Sequence, residues 1–258
     1  MPTAYIQAGE HNGFLSFSCF DTARDLKNRH GYRVIAFDRE RLPKRITPET
    51  PVKGGTGLVR YLYERDFGTP FPNLDIPEPL LPFARRKINP TTLGELRARV
   101  RATPDPSRAA RNIFIKPLHH AKDFPGGTLY YRATDAPVAY LPDDYPVLEQ
   151  EVMSFYDEQR FLVGPRSITP TEGPKRAAKF YEEAKRLHKA WKHMAPRAYV
   201  LDIALARRGR KPVLPTLVEI NSILTAGWLT FDTVRNPGAL VIEAWKSYAH
   251  YAEHGRFR

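Results

Sequence analysis

The chain has 258 residues and carries 40 Lys and Arg against 28 Asp and Glu, a formal charge of +12 with a pI near 9.8, so polyanions and anionic small molecules are natural partners. This length can bury a full core, as one α/β domain or two lobes, and the single cysteine, Cys19, excludes an internal disulfide framework and a cysteine-based zinc cage. No apolar run approaches the roughly 20 residues of a membrane helix, and the opening MPTAYIQAGEHNG has neither a basic nor an apolar targeting region, so the expectation is a soluble, cytosolic protein with a buried, inert thiol.

In chain order, Ala4 to Ala8 reads as a strand and Gly13 to Phe20 as a second one, after which Asp21 or Thr22 caps a helix that carries Ala23 and Leu26 and stops at Gly31. Tyr32 to Phe37 then supplies a buried strand, which makes a βαβ-like opening. Lys53-Gly54-Gly55-Thr56-Gly57 leads into a helix through Leu58, Val59, Tyr61 and Leu62 that ends near Gly68. Glycines ahead of a helix can admit an anion, and an ordinary turn explains the same residues. Residues 69–90 are rich in proline, which disfavours helix and central strand and suggests an extended connector. Thr92 and Glu95 offer a capping box for a basic helix through about Ala102.

The second half holds strand-like runs at Asn112 to Lys116, Thr128 to Arg132, Val147 to Met153, Gln159 to Val163, Tyr199 to Ala206 and Val213 to Asn221. One long helix opens at Pro174, with Ala177, Ala178, Phe180, Tyr181, Ala184, Leu187, Trp191 and Met194 as its core stripe, and a second spans about Ala239 to Ala252.

The segment from Ala198 to Asp232 carries the chemistry. Two of its strands flank a tight basic turn, Arg207 to Lys211, so they read as a hairpin. Glu219 and Asn221 are two apart and share a face, with Val218 and Ile220 on the other. A turn centred near residue 209 or 210 sets Asp202 opposite Glu219 to within one step of register, with Cβ atoms roughly 5 to 8 Å apart. Two carboxylates that close are costly to desolvate unless something positive lies between them, and a magnesium ion with one or two carboxylates, an amide oxygen, waters and phosphate is the simplest answer. An exposed face with ordinary surface acids is the bland alternative.

Upstream, Lys116 ends the apolar strand Ile113-Phe114-Ile115, and a loop with Lys122, Phe124, Gly126 and Gly127 follows. Such a lysine presents a point charge to phosphate while small residues let backbone N–H groups approach, and a snorkelling lysine is the competing reading. His119 and His120 of this loop read as exposed. The run Leu148 to Met153 can read an adenine edge with its backbone, and Glu158 and Arg160 share a strand face where one can hold a ribose and the other a transferring phosphoryl group. A cross-face ion pair explains Glu158 and Arg160 equally well.

In order and spacing, FIKPLHHAKDFPGG, LEQEVMSFYDEQRFLV and YVLDIALARRGRKPVLPTLVEINSILTAGW resemble the ATP-grasp superfamily, and in particular its small bacterial and phage clade marked by one arginine and two lysines. The resemblance covers residues 111 to 232, and GGTGLVRYLYERDFGTPFP with LPFARR matches the amino-terminal region more loosely, with Arg86 in it. It implies an ATP-grasp fold of α/β (α+β) class, two lobes whose antiparallel sheets sandwich ATP, preceded by a small α/β domain. The corresponding spans are an amino-terminal region 1–105 with the connector 69–90, a first lobe 106–150 and a second lobe 151–258.

The resemblance also implies roles. Lys116 and Lys122 hold phosphates, Glu151, Val152 and Met153 form the adenine hinge, Glu158 binds ribose, Arg160 acts with Lys122 at the transferring group, and Asp202, Glu219 and Asn221 hold one or two magnesium ions. The implied activity is a carboxylate–amine ligase that converts ATP to ADP and phosphate through an acyl phosphate, acting on a small-molecule or peptide acid and an amine and independent of membranes. The segment after Arg160 departs from the clade's pattern, so the acceptor side is not identified, nor is the oligomeric state. A phosphotransferase on the same scaffold and a basic nucleic-acid-binding module without catalysis are the alternatives.

Overall fold

The computed structural model describes residues 1–9, 17–119, 123–124, 126–129, 138, 140–207, 213–227 and 234–258. Three sheets organise them. The first is parallel, with strands β1 (Thr3–Gln7), β2 (Arg33–Phe37) and β3 (Val52–Lys53) in the order β2-β1-β3. Helix α1 (Phe17–His30) makes the crossover from β1 to β2, and Gly31, at φ 67°, supplies the left-handed residue that ends it.

This helix corrects the expected strand over Gly13 to Phe20. Residues 17–20 are its first turn, residues 13–16 lie outside the described part, and Asp21 and Thr22 are inside the helix rather than capping it. The alternating apolar and polar residues of LSFSCF, residues 15–20, imitate a strand, but the buried set Cys19, Ala23 and Leu26 recurs at four and three residues and packs as one helical face against Ala4 and Ile6 of β1.

Helix α2 (Thr56–Phe67) ends on Gly68 at φ 65°. The proline-rich stretch that follows is not wholly extended: it forms a 3-10 turn at Glu78–Leu80 and a short helix α3 (Leu81–Ala84), with proline in the first turn of each, where a missing N–H costs nothing.

The second sheet is antiparallel, with β4 (Ile88–Thr92), β5 (Ile113–Pro117), β6 (Gly127–Thr128) and β7 (Pro146–Glu151) in the order β4-β7-β5-β6. Its edge strand β4 comes from the end of the proline-rich stretch, and Pro90 is tolerated there because an edge position needs no second ladder bond. Thr92 caps α4 (Leu93–Arg101) with the full reciprocal capping box to Glu95, and α5 (Pro106–Arg111) follows.

The third sheet is also antiparallel, with β8 (Ser154–Gly164), β9 (Ser167–Pro170), β10 (Tyr199–Arg207) and β11 (Leu214–Asn221) in the order β11-β10-β8-β9. Its back face packs on α6 (Pro174–Trp191) through Phe161, Val163, Leu201 and Ile203, which meet Phe180 and Leu187 of the helix stripe. Ala178 is exposed and Met194, beyond the helix end, is 60% exposed, so neither belongs to that stripe. Leu162 and Val200, on the front face, pack instead with α2 and with α7 (Pro237–His254). The front face thus carries the apolar contact at one end and leaves its other end for polar residues. Among the described residues no helix is long and apolar enough to cross a membrane.

Candidate active site

Asp202 lies directly opposite Glu219 in the ladder between β10 and β11, in the register expected from the hairpin. The ladder slips one step immediately afterwards: Asp202 pairs with Glu219 but Ile203 pairs with Leu217, so Val218 is the extra residue of a bulge. The expected face for Val218 is therefore corrected. Leu217 and Ile220 both turn to the α6 core, while Glu219 and Asn221 stay together on the front face.

A second bulge sits on the opposite neighbour. Ile203 pairs with Gln159 and Leu205 with Tyr156, so β8 carries an extra residue where Asp157 adopts φ 57°. Asp157 is anchored there by Arg176 at 3.0 Å and by Lys179, both on α6. Two bulges flanking one patch re-aim the side chains between them, a usual device beside active sites.

Five expected residues meet there with two others, Asp75 and Gly227. The Asn221 amide donates to Asp202 Oδ2 at 3.1 Å and Glu219 Oε1 at 2.7 Å, so it bridges the carboxylates. Lys116 reaches across from β5 and donates to Glu219 Oε2 at 2.6 Å and to Asp75 Oδ1 at 3.0 Å. Arg160, paired in register with Asp202, grips it by Nε and Nη2, both at 2.7 Å, and donates by Nη1 to the Gly227 carbonyl at 2.8 Å. One polar network therefore joins the second and third sheets.

Burial and charge pull against each other here. Burial alone disfavours the Lys116 ammonium, but Asp75 and Glu219 outweigh it and hold its pKa above the ordinary lysine value. Burial likewise pushes Glu219 up, and Lys116 and Asn221 overcome it and keep the carboxyl below its usual range. Asp202, fully buried, is pushed up by desolvation against the pull of Arg160 and Asn221. Glu158, on β8, is raised by desolvation and then by Asp202 and Glu219, with Arg160 and Lys116 opposing.

The donor set decides what ion these residues can hold. Asp202, Glu219 and the Asn221 amide, turned to offer its oxygen, are hard oxygen donors of the kind magnesium favours. Among the described residues no three His, Cys, Asp or Glu side chains form a metal cage. An ion held here therefore needs water and phosphate oxygens to fill its shell, the usual condition of magnesium at nucleotide sites.

Glu151 ends β7 and Val152 and Met153 link it to β8, with Val152 40% exposed. The Gly126 backbone lies over Lys116, since a Cβ at that glycine would meet Lys116 Cγ and Phe114 Cζ at 3.1 Å. His119 is exposed, and Lys122 and His120 lie outside the described residues.

Asp75 and the part played by Arg86 are absent from the sequence reading. Asp75 sits in Leu74-Asp75-Ile76, whose outer members are packed in the α6 core, and its carbonyl accepts from the Ile220 N–H at 2.6 Å. That alternation inside a proline-rich stretch is the signal that could have found it. Arg86 donates to the Leu217 and Val218 carbonyls at 2.7 and 2.8 Å, which are the carbonyls of the bulge, and to Gln150 Oε1 of β7 at 3.0 Å.

The chain is similar to several solved structures at low sequence identity. One is a RimK domain ATP-grasp protein from Sphaerobacter thermophilus, 14% identical over 97% of this chain and 100% of that one, with a TM-score of 0.49. Another is D-alanyl-alanine synthetase A from Vibrio cholerae, 13% identical over 86% and 88% of the two chains at a TM-score of 0.48. A third is D-alanine–D-alanine ligase from Bacillus anthracis, 12% identical over 99% and 100% at 0.46. No curated protein matches the sequence. Residues 83–236 match an ATP-grasp domain family, the second family of the clade named for one arginine and two lysines. That stretch is well over half of the chain and contains the lysine strand, both bulged ladders and the bridged carboxylates, so the protein belongs to the arginine-and-two-lysine clade of the ATP-grasp superfamily.

Proposed function

We propose that the protein is an ATP-dependent carboxylate–amine ligase. The observation that carries this reading is the single network in which Lys116, two carboxylates bridged by Asn221, and Arg160 converge from facing sheets. It assembles fixed positive groups and hard oxygen ligands, the two requirements for handling a polyphosphate.

In this reading Lys116 and Lys122 hold phosphates, the backbone of Glu151 to Met153 faces adenine, Glu158 takes the ribose, and Asp202, Glu219 and Asn221 hold magnesium. Magnesium supplies neutralisation of phosphate oxygens when it is bound. Arg160 stands beside the transferring phosphoryl group, steadied by Asp202.

The acid's carboxylate oxygen attacks the γ-phosphorus and ADP leaves, giving an acyl phosphate. The amine nitrogen then attacks the acyl carbon, phosphate departs, and the amine proton is lost to give the amide. Both steps need two anions held together and water kept out more than covalent help from protein. A small-molecule or peptide acid suits the basic surface. A reducing cytoplasm suits the buried Cys19 thiol.

The test incubates the protein with magnesium ATP and pools of amino acids and peptides, following phosphate release and new masses together. Phosphate release that depends on both an acid and an amine, with an amide mass, is the expected result. ADP formation without amine dependence identifies a phosphotransferase instead.

A further inference from the structure

Lys53 ends β3 and is 1% exposed. Its Nζ donates to the Ile223 carbonyl at 2.9 Å and the Ala226 carbonyl at 2.7 Å. The following residue repeats the connection, with the Gly54 N–H donating to the Leu224 carbonyl at 3.0 Å. Gln7, at the end of β1, secures the same corner by accepting from the Gly55 N–H at 2.7 Å, and it lies so close to Gly54 that a Cβ there would meet its Cβ and Oε1 at 2.7 Å. The glycines ahead of α2 are therefore a tie rather than an anion cradle.

The turn they hold, residues 222–227, begins directly after Asn221 and ends at Gly227, whose carbonyl Arg160 holds. Three of its carbonyls are taken by β3 and Gly54, and a fourth by Arg160. A methionine would fill the volume of Lys53 without burying a charge, but it would take away the donor that the Ile223 and Ala226 carbonyls share. Burial lowers the Lys53 pKa to about 8, with Cys19 of α1 opposing and Arg160 of β8 assisting.

We propose that Lys53 is a positioning residue for the active centre: its buried ammonium pins the 222–227 turn and, through the Gly227 carbonyl, sets the attitude of Arg160. This rests on the ligase reading, in which Arg160 attends the transferring phosphoryl group. Lys53 lies outside residues 83–236, so the amino-terminal sheet supplies part of the centre from beyond the matched family domain.

Two variants and two measurements test it. Amide hydrogen exchange on the nucleotide-free protein needs no activity: K53M is expected to speed exchange in residues 222–227 by about tenfold or more while leaving β5 unchanged. In turnover assays K53M is expected to lower kcat by about a hundredfold, as a misplacement of about 1 Å can, with KM for ATP within about threefold of wild type. K53R keeps a charged donor and is expected to keep the turn protected and most of kcat. Unchanged exchange in K53M, a wild-type kcat in K53M, or a K53R loss as large as that of K53M overturns the proposal. Should K53M not fold, K53R against wild type decides in the same two measurements. A wild-type protein that turns over no ATP sinks the ligase reading instead, and the exchange data then judge the clamp by themselves.

Discussion

Asp202 and Glu219 face each other across one rung of an antiparallel ladder, and the ladder slips by a residue at the next rung. The slip keeps Glu219 and Asn221 on the front face while Leu217 and Ile220 both reach the core. Each carboxylate has its own cation, Arg160 for Asp202 and Lys116 for Glu219, and Asn221 joins the two.

Replacing Glu219 with Gln keeps the shape and removes the charge that faces Lys116. Turnover of ATP is expected to fall by about 10²- to 10³-fold, the scale seen when one preorganised electrostatic group is lost. Phosphate release measured beside far-ultraviolet circular dichroism separates this from unfolding, and an E219Q protein with normal turnover would falsify the site.

Arg160 uses two nitrogens on Asp202 and a third on the Gly227 carbonyl, a fork that a lysine cannot reproduce. R160K is therefore expected to lose about tenfold or more in kcat, at least one charge-assisted bond's worth, with ADP affinity little changed. Steady-state kinetics with isothermal titration of ADP checks both halves, and a conservative result for R160K removes the bidentate requirement.

Asp75 is the second carboxylate on Lys116 and the one that remains if Glu219 turns to a cation. D75N is expected to raise KM for ATP by about tenfold, because a charge-assisted bond holding the phosphate lysine is weakened. A KM equal to wild type shows instead that Glu219 alone orients Lys116.

Lys53 gives a stability signature with a defined sign. Its folded pKa is lowered from 10.5 to about 8 by burial. Between those values the unfolded lysine still holds a proton that the folded one has released, so stability rises with pH across the window. Relative to K53M, the wild type should gain on the order of 3 kcal/mol from pH 8 to 10.5. Urea denaturation of both proteins across that range measures it, and parallel curves refute a buried, depressed lysine.

The hairpin register was legible because a tight turn fixes which residues pair, and the period of two then sets Glu219 and Asn221 on one face. The bulge at Val218 was not, since its carbonyl and that of Leu217 are held by Arg86, more than a hundred residues away in sequence. A similar limit hid Asp75 and Lys53, whose partners are contributed by β5 and by the turn after β11. The start of helix α1 is hidden for a local reason: LSFSCF has the period of a strand, and only contact with Ala4 and Ile6 shows which spacing is buried.

Arg86 has one more effect on how the molecule can move. Its guanidinium is bonded at once to Gln150 in the second sheet and to the bulge carbonyls in the third, and it lies 5.3 Å from the Phe155 ring centroid. One side chain thus fastens β7 of the second sheet to the bulge of the third. Any parting of β7 from the bulge at this point has to break either its hydrogen bond to Gln150 or both of those to the bulge.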